Sequence, residues 1–276
     1  MKKSQQLVHF VSTGPKFPYY YYIGIMTALK VYGDKVRLWI TEEPQSKYFP
    51  ALKGKVKIIK IPARKIPNFP ALRNKDDHFK RVAIFDYLIW RIVYKYGGII
   101  MGLDSLTLRP HFDLLEAGKE LMVPRYDETK PLRFTMHGVI VRKRSKLAKL
   151  IISDAKFSLN LPCMEWGYSG NLPLVNRAVQ NLDKVSIAAV GLCADILNSS
   201  AGNVFRNDML PYADVRTIPL YGSSIIGFGS KANLFDVVLD EEYIAIAQSY
   251  YARVVKEMLS EEEWNGPFRK NNKGGQ

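Results

Sequence analysis

The 276-residue chain has only two cysteines, Cys163 and Cys193, and that scarcity excludes a disulfide framework. A reducing compartment fits best, with a single bridge between the two left open. No apolar run reaches the roughly 20 residues that a membrane-crossing helix needs. The opening MKKSQQLVHFVSTGP has two lysines but lacks the apolar stretch of a signal peptide. The expectation is a soluble, cytoplasmic protein. Acids are also in short supply, 26 against 40 lysines and arginines, for a net charge of +14. That balance favours anionic partners: nucleic acid, an anionic membrane touched peripherally, or the phosphates of a nucleotide ligand. There is no zinc-ligand spacing, helix-turn-helix signal or RNA-recognition aromatic motif, so no nucleic-acid partner is expected. Internal repeats and a clear linker are absent as well.

What is present is a globular composition, 47% hydrophobic and 24% charged, in a chain long enough for one domain with a full core. QLVHFVS, residues 6–12, is a short apolar run closed by Thr-Gly-Pro and predicts a buried strand. YYYYIGIMTALKVYG predicts a helix stopped at Gly33. KVRLWI and KVKIIKI predict strands, and the basic, proline-rich PARKIPNFPALRNKDD between them and the next helix predicts a long loop, either functional or mobile. HFKRVAIFDYLIWRIVYKY predicts a helix over 78–96, and GGIIMGLDS a turn into a strand that ends at Asp104. ELMVP and FTMHGVIVRK predict strands. SKLAKLIISDAKF, NLPLVNRAVQNL and EEYIAIAQSYYARVVKEML predict helices, the last continuous over 241–259. RKNNKGGQ predicts a frayed end. Strand and helix alternate in the way of an α/β fold with a mostly parallel sheet.

The helix over 78–96 is the most informative. With Asp86 at zero and about 100° per residue, Lys80, Arg81, Arg91 and Lys95 fall at about 120°, 220°, 140° and 180°. The bases share the wet face and Asp86 points the other way, with Val82, Ala83, Ile89 and Trp90 as its helical neighbours. A carboxylate on an apolar face must be satisfied from off the helix. Hydrogen bonds from a polar ligand and hydrogen bonds from a neighbouring loop meet that need equally well. Gly97-Gly98 ends the helix, because glycine accepts the left-handed cap. Asp104 then stands at the carboxyl end of a strand, where open α/β sheets place ligands and where a carboxylate can hold a hard divalent cation. A plain turn-opening aspartate is the bland alternative.

FDYLIWRIVYKYGGIIMGLDSLTLRP, residues 85–110, resembles the signature of glycosyltransferases with a DXD sugar-binding region, roughly S-D-x-x-R-x-x-x-L-Y-x-Y-G-G-x-Y-x-D-x-D. That group includes the fungal initiating α-mannosyltransferases, lactosylceramide α-galactosyltransferase and, distantly, the glucosylating large bacterial toxins. LVHFVSTG is similar to the family's opening strand, HGVIVRKRSKLAKLII to a later strand and helix, and YSGNLPLVNRAV, less well, to its T-G-P segment.

The resemblance implies a GT-A fold, a Rossmann-like mostly parallel sheet flanked by helices in one glycosyltransferase domain. Residues 1–110 would be the nucleotide-sugar-binding half, 111–260 the acceptor side and 265–276 a flexible tail. It implies a UDP- or GDP-linked donor, Mn²⁺ or Mg²⁺, hexose transfer with retention, and a glycan or glycoconjugate acceptor. Carried over by position, Asp86 is the sugar-contacting aspartate and Asp104 the metal-binding aspartate of the DXD. Both are the expected catalytic residues. Val8, His9, Phe10, Val11, Ser12, Gly98, Gly102 and Leu103 join them in binding donor. His137, Asn171 and Trp264 are weaker candidates for metal or acceptor contact, and the tyrosines at 19–22 for stacking on a sugar, with two of the four expected in the core.

Four positions depart from the pattern. Gly102 stands where the first DXD aspartate belongs, Ile89 where a sugar-contacting arginine belongs, Ile100 where tyrosine is common, and Ser12 where tryptophan often stacks on the base. Arg91 does not substitute for the arginine, since two helical positions turn a side chain about 200°. A relative that binds a nucleotide sugar or glycan without catalysis is the rival expectation.

Overall fold

The computed structural model describes residues 6–66, 68–125, 134–161, 169–188, 215–220 and 239–268. Cys163, Cys193 and the predicted frayed segment 269–276 lie outside them. A seven-stranded sheet forms the centre, in the order β3-β2-β1-β4-β7-β6-β8. Its strands are β1 (Val8–Ser12), β2 (Val36–Ile40), β3 (Lys57–Lys60), β4 (Gly98–Ile100), β6 (Leu121–Pro124), β7 (Val139–Val141) and β8 (Val185–Ala188). The first four run parallel, β7 is antiparallel to both β4 and β6, and β6 is parallel to β8. β5 (Ser105–Thr107) and β9 (Thr217–Pro219) make a separate antiparallel ribbon. The helices are α1 (Tyr19–Tyr32), α2 (Asp77–Tyr96), α3 (Lys146–Ser158), α4 (Asn171–Val179), α5 (Glu241–Ile246), α6 (Tyr250–Met258) and α7 (Glu261–Trp264). No helix among the described residues is long and apolar enough to cross a membrane.

Both faces of the sheet are covered, and successive strand residues serve opposite cores, as the pleat requires. Val8 and Phe10 join Ile23 and Ile25 of α1 with Tyr251 and Val255 of α6. Val11 joins Ile89 and Trp90 of α2 with Leu147 and Ile151 of α3. The continuous apolar runs in the sequence are the signature of strands buried on two sides.

α2 starts at Asp76, whose carboxylate accepts the Phe79 N–H at 2.8 Å, and stops at Gly97, where φ is +71°. Gly98 follows with φ +119°, and a β-carbon there would lie 2.2 Å from the Leu7 carbonyl oxygen. The glycine pair therefore lets α2 turn directly into β4 beside β1. His9 pins the turn: Nε2 lies 2.9 Å from the Gly97 carbonyl, and Nδ1 accepts the Trp39 indole N–H at 3.1 Å. Burial pulls His9 down to about 4, so the ring is neutral and fully engaged in the core.

Several boundaries differ from the sequence expectation. β4 ends at Ile100, leaving Asp104 in the turn before β5, and β7 covers only Val139–Val141 of its predicted run. The expected helix over 241–259 is two, because Ser249 takes an extended conformation and its hydroxyl caps α6 by accepting the Ala252 N–H. Three of the four consecutive tyrosines, Tyr19, Tyr20 and Tyr22, are buried, not two. Residues 266–268 form a 3₁₀ turn whose Phe268 packs on Tyr19, Tyr22 and Tyr48, so the ordered core continues past residue 265.

Candidate active site

Met101–to–Thr107 is a buried stretch in which one side chain, Asp104, reaches partway to solvent. Its backbone is held on two sides. Gly24 of α1 lies so close that a β-carbon would stand 2.5 Å from the Leu103 carbonyl oxygen and 2.7 Å from that of Ser105. The Leu220 N–H donates to the Asp104 carbonyl at 2.6 Å. Asp104 is thus presented beyond β4 at the carboxyl end of the central parallel strands, the usual ligand edge of an open α/β sheet.

Residues 134–141 repeat the pattern: His137 is the partly exposed side chain in a buried run. Its Nδ1 lies 2.6 Å from Ser105 Oγ. A β-carbon on Gly102 would stand 2.2 Å from His137 Cε1, 2.4 Å from its Nδ1 and 2.9 Å from Asp104 Oδ1. The place where a side chain at 102 would begin is therefore filled by the imidazole. Burial lowers the pKa of His137, and the Asp104 charge acts against that shift. Tyr20 and Tyr21 titrate above the ordinary tyrosine range, mainly through burial, and the Asp104 carboxylate contributes to both.

Asp86 is 6% exposed on the inner face of α2. The Ser169 hydroxyl donates to its Oδ2 at 2.8 Å, and Gly170 packs so tightly that a β-carbon would lie 2.5–2.7 Å from the carboxyl atoms. Burial pushes the Asp86 carboxyl up to about 7, with the Ser169 bond acting the other way. Arg91 lies over the Tyr87 ring at 5.5 Å, on the outer side of the helix as the wheel required. Asn171 opens α4 next to this turn and is exposed. Trp264 is buried, and its carbonyl accepts the Tyr19 hydroxyl at 2.7 Å.

A cleft of about 460 Å³ opens at the carboxyl ends of β1 and β2. Thr13, Pro15, Thr41 and Glu42 line it from the strand ends, Ile66 from the proline-rich loop, and Asp77, Lys80, Arg81 and Ile84 from the first turns of α2. The volume is in the range of a small-ligand site. Val8 to Ser12 are buried in the sheet, and the lining begins one residue further on, at Thr13. The Thr13 hydroxyl donates to the Arg81 carbonyl at 3.0 Å, and the Arg81 side chain covers Gly14, whose missing β-carbon would be 2.7 Å from Arg81 Cδ. Lys80 and Arg81 pair only loosely with Asp77, at 3.7 and 3.9 Å. Arg64, Lys65 and Arg73, in the proline-rich loop, are exposed.

The cleft residues of α2, the Ser169–Gly170 turn and Ser105 are absent from the sequence expectation. The wheel places Lys80 and Arg81 on the wet face, but only the neighbouring strand ends turn that face into a cleft. Among the described residues no three His, Cys, Asp or Glu side chains gather in a way that would enclose a metal ion. Asp104 is the one carboxylate at this turn that could offer a hard oxygen to a cation.

No protein-family model matches the sequence, and no curated protein matches it. Solved structures do. The PaToxG glycosyltransferase superposes with a TM-score of 0.51 at 16% identity, over 65% of this chain and 70% of that one. The galactosyltransferase LgtC, in complex with donor and acceptor sugar analogs, gives 0.50 at 12% identity over 94% of this chain and 99% of its own. The apo form of the glycosyltransferase GlyE from Streptococcus pneumoniae TIGR4 gives 0.53 at 13% identity over 94% of this chain and 64% of its own. The fold is that of the GT-A glycosyltransferases.

Proposed function

We propose that the protein transfers a hexose from a UDP- or GDP-linked donor to a hydroxyl of a glycan or glycoconjugate. The observation that carries this reading is Asp104, partly exposed at the carboxyl edge of a GT-A sheet, with a cleft of about 460 Å³ at the ends of the neighbouring strands β1 and β2. In this reading the cleft takes the nucleoside and Lys80 and Arg81 lie near its phosphates. Sugar transfer requires stabilisation of the leaving diphosphate, support for an oxocarbenium-like centre and a positioned acceptor hydroxyl. Asp104 would hold a divalent cation, which as a Lewis acid neutralises charge on the departing phosphate oxygens. In this reading Asp86 would accept hydrogen bonds from sugar hydroxyls in place of the one it accepts from Ser169. Retention at the anomeric carbon follows the family resemblance.

The test is a panel of UDP- and GDP-hexoses incubated with Mn²⁺, with release of free sugar as readout. Slow hydrolysis of one donor is the expected result, abolished by Asp104→Ala together with metal-dependent donor binding. Metal-dependent donor binding that survives Asp104→Ala sinks the assignment of Asp104. A second reading, nucleotide-sugar binding without catalysis, draws on Asp86 being closed off by Ser169 and Gly170. Tight nucleotide binding with no turnover on any donor would favour it.

A further inference from the structure

The outer face of α3 turns apolar side chains to water that neither the core nor the cleft uses. Leu147, Ala148, Ile151 and Ala155 are buried against the sheet and α2. With Leu150 at zero and about 100° per residue, Phe157, Lys146, Ser153, Lys149 and Lys156 follow at about −20°, −40°, −60°, −100° and −120°. A single exposed arc thus carries two large apolar side chains and three lysines. Leu150 is 41% and Phe157 68% exposed. They project in line, about 10 Å apart along the helix axis. One exposed leucine is ordinary, but an aligned apolar pair among bases marks a contact surface. We propose that this face of α3 docks on an anionic lipid surface. Leu150 and Phe157 enter the boundary between headgroups and acyl chains, and the lysines lie among the headgroups.

The charge on and around α3 fits that partner. The only acid of the helix, Asp154, is on the side turned to α4, where Arg177 grips it with bonds of 2.6 and 2.8 Å. Among the described residues no carboxylate forms an ion pair with Lys146, Lys149 or Lys156. The basic patch extends beyond the helix. Arg144 is exposed, and its backbone N–H donates to the Tyr94 carbonyl at 2.8 Å, beside the end of α2. Arg91 lies over Tyr87, which shares an apolar cluster with Ala155 and Leu159, so its guanidinium emerges next to α3. Bases clustered in this number hold anionic leaflets, each adding about fivefold in affinity near the surface. Lysine stems span the distance from apolar depth to headgroup. The net charge of +14 draws the chain toward such a surface from further away. A nucleic-acid backbone would meet the same bases but gives Leu150 nothing to bury against. This face shares no residue with the Asp104 turn or the cleft, so it stands whether or not the transferase reading does.

The experiment sediments the full chain with vesicles of equal parts phosphatidylcholine and phosphatidylglycerol, and with vesicles of phosphatidylcholine alone. Binding to the anionic vesicles only, falling as salt is raised, is the expected result. Lys149→Gln combined with Lys156→Gln should weaken it about 30-fold, and Phe157→Ser about tenfold. All three positions are exposed, so melting temperatures should match wild type. In Phe157→Trp, the added indole emission should move to shorter wavelength on the anionic vesicles, as the ring leaves water. Failure to bind, equal binding to the neutral vesicles, or unshifted emission from Phe157→Trp overturns the proposal. Anionic binding that none of these variants weakens also overturns it, assigning the attraction to another part of a basic chain. Without vesicle binding, two further outcomes replace it: mixed-sequence RNA binding that the lysine variants weaken points to a nucleic-acid surface, and self-association lost in Phe157→Ser to contact between copies.

Discussion

Asp86 carries its carboxylate into a place where the ionised form is poorly solvated, and its proton affinity follows. Its pKa is raised to about 7 by burial, against about 4 in an unfolded chain. Between those values the folded protein holds a proton that the unfolded chain has released. The stability from this group is complete below about pH 4 and is lost as the pH rises through about 7. At about 1.4 kcal/mol per unit the loss is on the order of 4 kcal/mol. Asp86→Asn keeps an acceptor for the Ser169 hydroxyl and removes the titration. The variant should match wild type near pH 4 and exceed it in urea unfolding at pH 8. Parallel stability curves for the two proteins would show that the site stays ionised. If Asp86 also contacts the donor sugar, the same variant is more stable yet slower in transfer, with nucleotide affinity unchanged. The outward bases and inward acid of α2 are legible from one helical wheel, because they depend on neighbours three and four positions away. The Ser169 bond and the meeting of His137 with Gly102 are not, because they join segments that only the folded sheet brings together.

At the scale of elements, Gly24 governs how closely α1 approaches the loop that presents Asp104. Gly24→Ala places a methyl 2.5 Å from one carbonyl oxygen and 2.7 Å from another, neither of which is a flexible side-chain end. Alanine's better helix propensity offers at most about 1 kcal/mol in return, against about 1–3 kcal/mol for overpacking. Net destabilisation in thermal melts is expected, with weaker Mn²⁺-dependent nucleotide binding as the loop shifts. A stabilised variant would mean that α1 moves away without cost. The break between α5 and α6 makes a prediction of opposite logic. In a continuous helix, Ser249→Ala would be neutral or stabilising, by propensity. As the cap of α6, and as acceptor of the Tyr243 hydroxyl at 2.7 Å, Ser249 is worth about 0.5–2 kcal/mol. Loss of stability in Ser249→Ala, largely restored by Ser249→Asp, distinguishes the two. Apolar periodicity runs through this region without interruption, which is why the sequence reads as one helix. The cap competes locally with periodicity, and its outcome is set by where Tyr243 and Tyr251 pack. The strands and α1 to α4 were easier to read, since long apolar runs and glycine stops act within each segment.

For the molecule as a whole, the question is whether the residues before and after 110 are separable halves. One apolar cluster answers in structural terms: it holds Val8 and Phe10 of β1, Ile23 of α1, Met122 of β6, Ile218 of β9, Tyr251 of α6 and Trp264 of α7. Residues 263–268 close onto α1. Tyr19 and Tyr22 donate their hydroxyls to the carbonyls of Trp264 and Glu263, Lys30 meets Glu263 at 2.8 Å, and Phe268 packs edge-on against Tyr19 and Tyr22. The ion pair is partly solvated and adds little. The buried rings dominate, since removing one large buried aromatic typically costs about 3–5 kcal/mol. A chain ending at Leu259 would lose both Trp264 and Phe268 and expose the first helix. Such a truncation should lower the melting temperature by many degrees and weaken Mn²⁺-dependent nucleotide binding, because α1 also supports the Asp104 loop through Gly24. Calorimetry of the full chain should then give one transition, with calorimetric and van't Hoff enthalpies equal. Two resolved transitions, only one of which responds to the truncation, would mean that the halves fold independently and that the shared cluster does not couple them.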